Sequence, residues 1–150
     1  MLSMSACSMF EAAAPPVAAV PPPPPPALPP PRPEPATPNQ VYTELYRWFA
    51  SAGYQPFQVM ALAEHAQAES GFRPCAAGPA GLRYTFQWGG TRLHRLHEFA
   101  HTPGCPPLAA QLAFADKELR NEPKYECFWR ASTEGAAYAA LRRGFGGGSC

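Results

Sequence analysis

Fourteen of the 21 prolines in this 150-residue chain fall between Pro15 and Pro38. Proline fixes φ and carries no backbone N–H group, so a segment this rich in proline cannot build a hydrogen-bonded, packed core. It is typical of an extended polyproline II rod, and its 24 residues would span roughly 70 Å. A ligand for an aromatic groove on a partner protein is the other use of such a segment. We predict a disordered, proline-rich segment over residues 1–40 and one folded domain over residues 41–150.

The charge of residues 41–150 argues against one class of partner. This part holds eleven lysine and arginine residues and nine aspartate and glutamate residues, a net charge near +2. Nucleic-acid-binding domains usually carry a strong basic excess, so we expect no nucleic acid as a partner. The length suffices for one modest core, and no apolar run approaches the length of a membrane span. The oligomeric state stays open.

Four cysteines lie in the domain, at Cys75, Cys105, Cys127 and Cys150. An even number in a small domain favours two disulfides and an oxidising compartment, with three possible pairings. Four reduced thiols in a cytosolic protein are the alternative.

The fifth cysteine, Cys7, lies ahead of the proline-rich segment in residues 4–8 (MSACS). This run resembles a bacterial lipobox, whose cysteine is lipidated after removal of a preceding signal region. The resemblance implies anchoring to the outer membrane and a location in the bacterial periplasm or cell envelope. Association with a phage virion is the alternative location.

Helical periodicity dominates the domain. We predict one helix over residues 41–52 and a second that begins at Pro56 and is stopped by Gly71. One face of the second helix is predicted to carry Phe57, Met60, Ala61, Glu64 and Ala68. Residues 71–90 hold five glycines and two prolines and predict a loop with a small hairpin. Further helices are predicted after a Thr91 cap, over residues 108–119 and from a Thr133 cap to Arg143. The fold class is therefore mainly α, with an irregular or β segment after the second helix.

Four motifs then occur in order along the chain. Residues 67–74 (QAESGFRP) place Glu69 in the last turn of the second helix, and residues 86–90 read FQWGG. The runs RxxxLxxFA from Arg92 and QLxF…EL from Gln111 follow. Together they resemble the phage tail lysozyme family of the lysozyme-like superfamily, over most of residues 41–138.

This resemblance implies cleavage of peptidoglycan glycan strands, with Glu69 as the catalytic acid and no cofactor. The side chains that it implies for substrate binding are Ser70, Phe72, Tyr84, Thr85, Phe86, Gln87 and Trp88. The sequence departs from the family pattern at Tyr84 and Thr85, where the family has GL, and at His65, where it tends to have Asn. A non-catalytic peptidoglycan-binding or assembly module is the alternative function.

The chemistry agrees with this resemblance. Cleaving a glycosidic bond requires a carboxylic acid that protonates the leaving oxygen, and an apolar setting keeps such an acid protonated. We expect that setting around Glu69. No Asp or Glu occurs between Ser70 and His97, so a second carboxylate must come from Asp116 or Glu118, or be absent. A single acid/base favours a lytic transglycosylase, but a hydrolase stays open.

A rival motif occupies the predicted third helix. His97, Glu98 and His101 match HExxH, in which two histidines four residues apart bind zinc and the glutamate activates water. The position of a third histidine in the longer pattern is Pro107, and Glu118 is the remaining candidate ligand. We expect three polar side chains on an exposed helix face, and keep a zinc peptidase as the less favoured alternative.

Overall fold

A computed structural model describes residues 35–150. The predictions about Cys7 and about the proline-rich segment up to residue 34 lie outside the described residues and stay predictions. The described part is mainly helical, as predicted. Its elements are α1 (Pro38–Ser51), α2 (Pro56–Ser70), α3 (Gly90–Ala100), α4 (Leu108–Asn121), α5 (Glu126–Arg130) and α6 (Glu134–Phe145), with 3₁₀ turns at Pro79–Gly81 and Pro123–Tyr125.

Helix ends follow local chemistry. Thr37 and Gln40 form a reciprocal capping box, so α1 begins at Pro38, three residues before the predicted start. Pro56 occupies the first turn of α2, and Gly71 ends that helix in the left-handed conformation at φ +61°, both as predicted. Thr133 caps α6 as predicted, since its hydroxyl accepts from a backbone N–H of the first turn.

Helix α2 is the centre of the domain and packs mainly against α6 and α1. The predicted inward face of α2 is largely wrong, because Met60, Glu64 and Ala68 are exposed, although Ala61 is buried as predicted. Packing on two sides buries a wider arc, which leaves little amphipathic signal in the sequence. The buried side chains are Gln58, Val59, Ala61, Leu62, Ala63, His65, Ala66 and Ser70.

The excursion between α2 and α3 (residues 71–89) holds little regular structure. The predicted hairpin is reduced to two isolated antiparallel bridges, Ala77 with Arg83 and Arg83 with Trp88. The predicted Thr91 cap is also wrong. Gly89 is the N-cap residue, and α3 begins at Gly90.

Two disulfides stabilise the domain, which confirms that prediction and resolves the pairing. Cys75 in the excursion pairs with Cys105 between α3 and α4, at a Cα–Cα distance of 5.5 Å. Cys127 in α5 pairs with Cys150, at 5.6 Å. Within residues 35–150, no helix combines the length and hydropathy needed to cross a bilayer.

Candidate functional site

Glu69 lies in the last turn of α2, where the chain leaves the core. The Ser70 hydroxyl is buried and donates to a backbone carbonyl one turn earlier at 2.9 Å. Gly71 and Phe72 then adopt left-handed backbones, with φ values of +61° and +57°. The Glu69 side chain is 36 % exposed. The expected apolar burial of this carboxyl is therefore wrong, because the turn places it at the surface.

The neighbour of Glu69 on the same face of α2 is His65. Its Nδ1 atom lies 3.9 Å from Oε1 of Glu69, and its ring is only 1 % exposed. The ring stacks on Phe86 at 6.0 Å between centroids and contacts Phe145 at 4.7 Å. Tyr138 of α6 covers another side at 6.3 Å. A buried imidazole thus lies one helical turn before the candidate acid, on the same face of α2.

The charge state of His65 follows from these surroundings. Burial, with smaller contributions from the cations of Arg92 and Arg142, lowers the pKa of the imidazole to about 4. His65 is therefore neutral near pH 7 and forms no ion pair with Glu69.

The segment predicted to line a sugar cleft belongs to the core. Phe86 and Trp88 are at most 1 % exposed and pack edge to face at 5.4 Å. Tyr84, Thr85 and Gln87 are also buried. These data contradict the prediction that the segment binds sugars by ring stacking, because protein atoms already cover its ring faces.

Tyr84 replaces the glycine of the family pattern at a position where glycine is favoured. Its φ is +73°, in the left-handed region that side chains with a Cβ rarely adopt. Its phenol lies 2.9 Å from Nε2 of His97. Burial raises the pKa of this phenol. The tyrosine therefore joins the excursion to α3 instead of lining an open subsite.

Both predicted partner carboxylates are already engaged. Asp116 accepts from the Tyr54 hydroxyl at 2.6 Å and from Arg120 at 2.7 Å. Glu118 is buried, where it accepts two hydrogen bonds from Arg92 at 2.9 and 2.6 Å. It also accepts from the Trp88 indole at 2.9 Å. Neither carboxylate is free to act beside Glu69, which leaves that residue without the predicted partners.

The geometry of the HExxH motif also differs from the prediction. Helix α3 ends at Ala100, and His101 is its left-handed C-cap residue, with φ +51°. His101 therefore does not share a regular helical face with His97, and Glu98 pairs with His94 at 3.3 Å. Within residues 35–150, no three His, Cys, Asp or Glu side chains cluster as metal ligands. The motif therefore lacks the single helical face on which the zinc alternative depends.

Sequence reasoning missed Tyr42 and Tyr46, two exposed tyrosines that form an aromatic surface together with the exposed Met60 and the half-buried Phe72. Tyr42 lies 5.7 Å from the Phe72 ring and 6.3 Å from the Tyr46 ring. Its hydroxyl lies 3.8 Å from the Met60 sulfur. The two tyrosines are 36 % and 38 % exposed. Their spacing of four residues on the outward face of α1 was the available signal.

A shallow cavity of about 440 Å³ adjoins this aromatic surface and is lined by Tyr42, Tyr46 and Arg47 among others. Comparison of the chain with family models, curated proteins and solved structures finds no match. The resemblance to phage tail lysozymes is therefore carried by the motifs described above alone.

Proposed function

We propose that this domain cleaves the glycan strands of bacterial peptidoglycan, as a muramidase or lytic transglycosylase, with Glu69 as its single general acid/base. The observation that carries the proposal is the position of Glu69. It lies in the last turn of the central helix at the protein surface, inside the ESGF run that resembles the family's acid motif. A left-handed turn follows it, and Phe72 in that turn contacts Tyr42 of α1.

The proposed reaction has two proton transfers. First, the protonated Glu69 carboxyl gives its proton to the glycosidic oxygen while the bond from C1 to that oxygen breaks. The ionised Glu69 then takes a proton from the nucleophile as its oxygen bonds to C1. Water as the nucleophile yields a hydrolysed end, and the sugar's own 6-hydroxyl yields a 1,6-anhydro end. Glu69 is protonated again after either route.

The engaged state of Asp116 and Glu118 supports a one-carboxylate scheme. Moving either group towards Glu69 would break strong hydrogen bonds, two of them to Arg92 in the case of Glu118. A covalent glycosyl intermediate on either of these carboxylates is therefore not part of the proposal. Mass spectrometry of digested sacculi distinguishes the two routes, because only transglycosylation leaves anhydro-muropeptides.

The aromatic surface is the proposed sugar contact in place of residues 84–88. Aromatic rings present flat apolar faces that suit the C–H faces of pyranose rings. Phe72 follows Glu69 by three residues and contacts Tyr42 directly. A glycan strand lying over these two rings would place one of its linkages near the α2 terminus.

The cellular compartment that we propose follows from the cysteines. Two disulfides favour an oxidising compartment, such as the periplasm or the outside of a cell. Peptidoglycan lies in that compartment in bacteria. A lipid on Cys7 would anchor the chain to the outer membrane and limit where it cuts.

Loss of turbidity of purified sacculi tests the proposal. The full-length chain should clear the suspension, and Glu69→Gln should abolish clearing because the amide cannot donate the required proton. Glu64→Gln is the matched control, since Glu64 is exposed on the same helix. An equal rate for wild type and Glu69→Gln would overturn the proposed role of Glu69.

A non-catalytic wall-binding module is the second candidate, and the buried 84–88 segment favours it. The predicted cleft side chains are committed to the core, and Tyr84 occupies the glycine position of the family motif. Co-sedimentation with sacculi separates the two functions. Binding without release of soluble muropeptides, in wild type as well as in Glu69→Gln, would select the binding module.

A further inference from the structure

His65 is an unusual buried side chain. Both of its ring nitrogens are shielded from solvent, and neither has a hydrogen-bond partner. Among residues 35–150, the only other buried side-chain nitrogen or oxygen without a partner is the indole nitrogen of Trp48. Buried polar groups are almost always hydrogen-bonded, so an orphaned imidazole in the central helix requires an explanation.

Among the charged side chains near His65, Glu69 is the one that can accept a hydrogen bond. Phe86, Tyr138 and Phe145 surround the ring with aromatic groups. The nearby charged groups from α3 and α6 are cations, Arg92 and Arg142, which cannot accept a hydrogen bond. On α2 itself, Oε1 of Glu69 is an acceptor 3.9 Å from Nδ1. A rotation of the partly exposed Glu69 side chain that brings the atoms about 1 Å closer completes a hydrogen bond.

We propose that His65 is the positioning residue for Glu69, and that its neutral imidazole donates Nδ1–H to the Glu69 carboxylate. This inference rests on the proposed function. Because the aromatic groups hold the ring in place, the donor fixes one orientation of an otherwise mobile glutamate at a helix end. The hydrogen bond forms with the ionised carboxylate, which is the state of Glu69 between the two proton transfers.

The low pKa of His65 suits this role. A histidine titrating near neutral pH would compete with Glu69 for the proton meant for the glycosidic oxygen. Burial and two arginines keep His65 neutral over that range. It can therefore orient the ionised carboxylate without competing for the proton that Glu69 transfers.

Nitrogen-15 NMR of the full-length chain tests the contact without any need for activity. In wild type near neutral pH, the proton of the neutral His65 ring should be on Nδ1. In Glu69→Ala the acceptor is gone, and the proton should shift largely to Nε2. Glu64→Ala should leave the Nδ1–H form in place. Identical tautomer populations in wild type and Glu69→Ala would overturn the proposal, whether or not the protein cleaves peptidoglycan.

Kinetics supply a readout that a purely structural role would not change. His65→Leu should lower kcat by roughly 10- to 100-fold with little change in KM, because the acid loses its orientation while the sugar contacts remain. His65→Asn should recover most of kcat, since its amide N–H lies near the position of Nδ1–H.

Circular dichroism and thermal unfolding of both His65 variants check that they fold. If the two folded variants lose kcat equally, the donor has no role and the proposal fails. If wild type and Glu69→Gln are equally inactive on sacculi, the proposed function fails instead, while the NMR comparison still decides the contact.

Discussion

The Thr85 hydroxyl donates a 2.7 Å hydrogen bond to Oε1 of Gln111, and both side chains are fully buried. The Thr85 backbone N–H donates to the same oxygen at 3.1 Å. The Gln111 amide nitrogen donates to the carbonyls of Pro74 and Pro106, at 2.9 and 2.8 Å. The Gln111 side chain of α4 therefore connects the excursion, at Pro74 and Thr85, to the loop that precedes α4.

Replacing Gln111 with leucine should strongly destabilise the domain. The change keeps the volume similar but leaves a buried N–H, a hydroxyl and two carbonyls without their Gln111 partners, at a cost of about 2–4 kcal/mol in the free energy of unfolding. Urea denaturation measures the loss. Gln67→Leu is the control, because Gln67 is exposed on α2 and its replacement should change stability by less than about 0.5 kcal/mol. Similar losses in the two variants would contradict the role of the Gln111 contacts.

The buried pair of Arg92 and Glu118 should be far more sensitive than a surface pair. Glu118→Ala leaves the mostly buried Arg92 cation uncompensated, and we expect a loss of about 3–5 kcal/mol. Glu126→Ala removes an exposed pair with Arg130, and should cost less than about 1 kcal/mol. Chemical denaturation of both variants tests the difference. A loss below that of Glu126→Ala would show that Arg92 finds another partner.

Two glycines of α6 should respond oppositely to alanine. A Cβ on Gly144 would lie within 2.6 Å of Cδ1 of the Tyr125 ring, so the buried ring must move. We expect Gly144→Ala to cost about 1–3 kcal/mol. A Cβ on Gly135 meets no atom within 4 Å, and Gly135→Ala should stabilise the helix by up to about 1 kcal/mol. Thermal unfolding distinguishes these outcomes, and a stabilised Gly144→Ala would contradict the close packing.

The lowered pKa of His65 predicts a loss of stability in mild acid. Between a pKa of 6.5 in the unfolded chain and about 4 in the folded protein, only the unfolded chain binds the proton. This contribution is therefore fully present above pH 6.5 and declines as the pH falls towards 4. It should lower the free energy of unfolding by about 1 kcal/mol between about pH 7.5 and pH 5.5.

Urea denaturation at the two pH values measures this loss. His65→Leu should remove it, and His94→Leu should retain it, because the His94 side chain is 72 % exposed. An unchanged pH dependence in His65→Leu would assign the loss to another group.

Much of the fold was predictable because helix ends depend on local chemistry. Pro56 with Gly71, and Thr133, each determine a boundary through the conformation or hydrogen bond of one residue. The inward face of α2 was not predictable in the same way. Its side chains are buried by α1 and α6 together, and those contacts come from distant parts of the chain.

The candidate site was also predictable only where it depends on local sequence. Glu69 could be located because the end of its helix is a local property. Phe86 and Trp88 could not be assigned to cleft or core, because aromatic rings suit a sugar and a hydrophobic core equally. Tyr42 and Tyr46 could not be identified as a functional surface from the sequence, because exposed tyrosines are common on helices. The environment of His65 required the coordinates of α6.

The disulfide between Cys75 and Cys105 affects what happens when a protease cleaves the chain. It encloses residues 76–104 in one covalent loop, and that loop contains the exposed turn Pro79–Gly81. A peptide bond hydrolysed in that turn leaves the helix bearing Glu69 attached to the rest of the domain. On a denaturing gel, the nicked chain would migrate as one species without a reducing agent. It would separate into two fragments only after reduction of the disulfide.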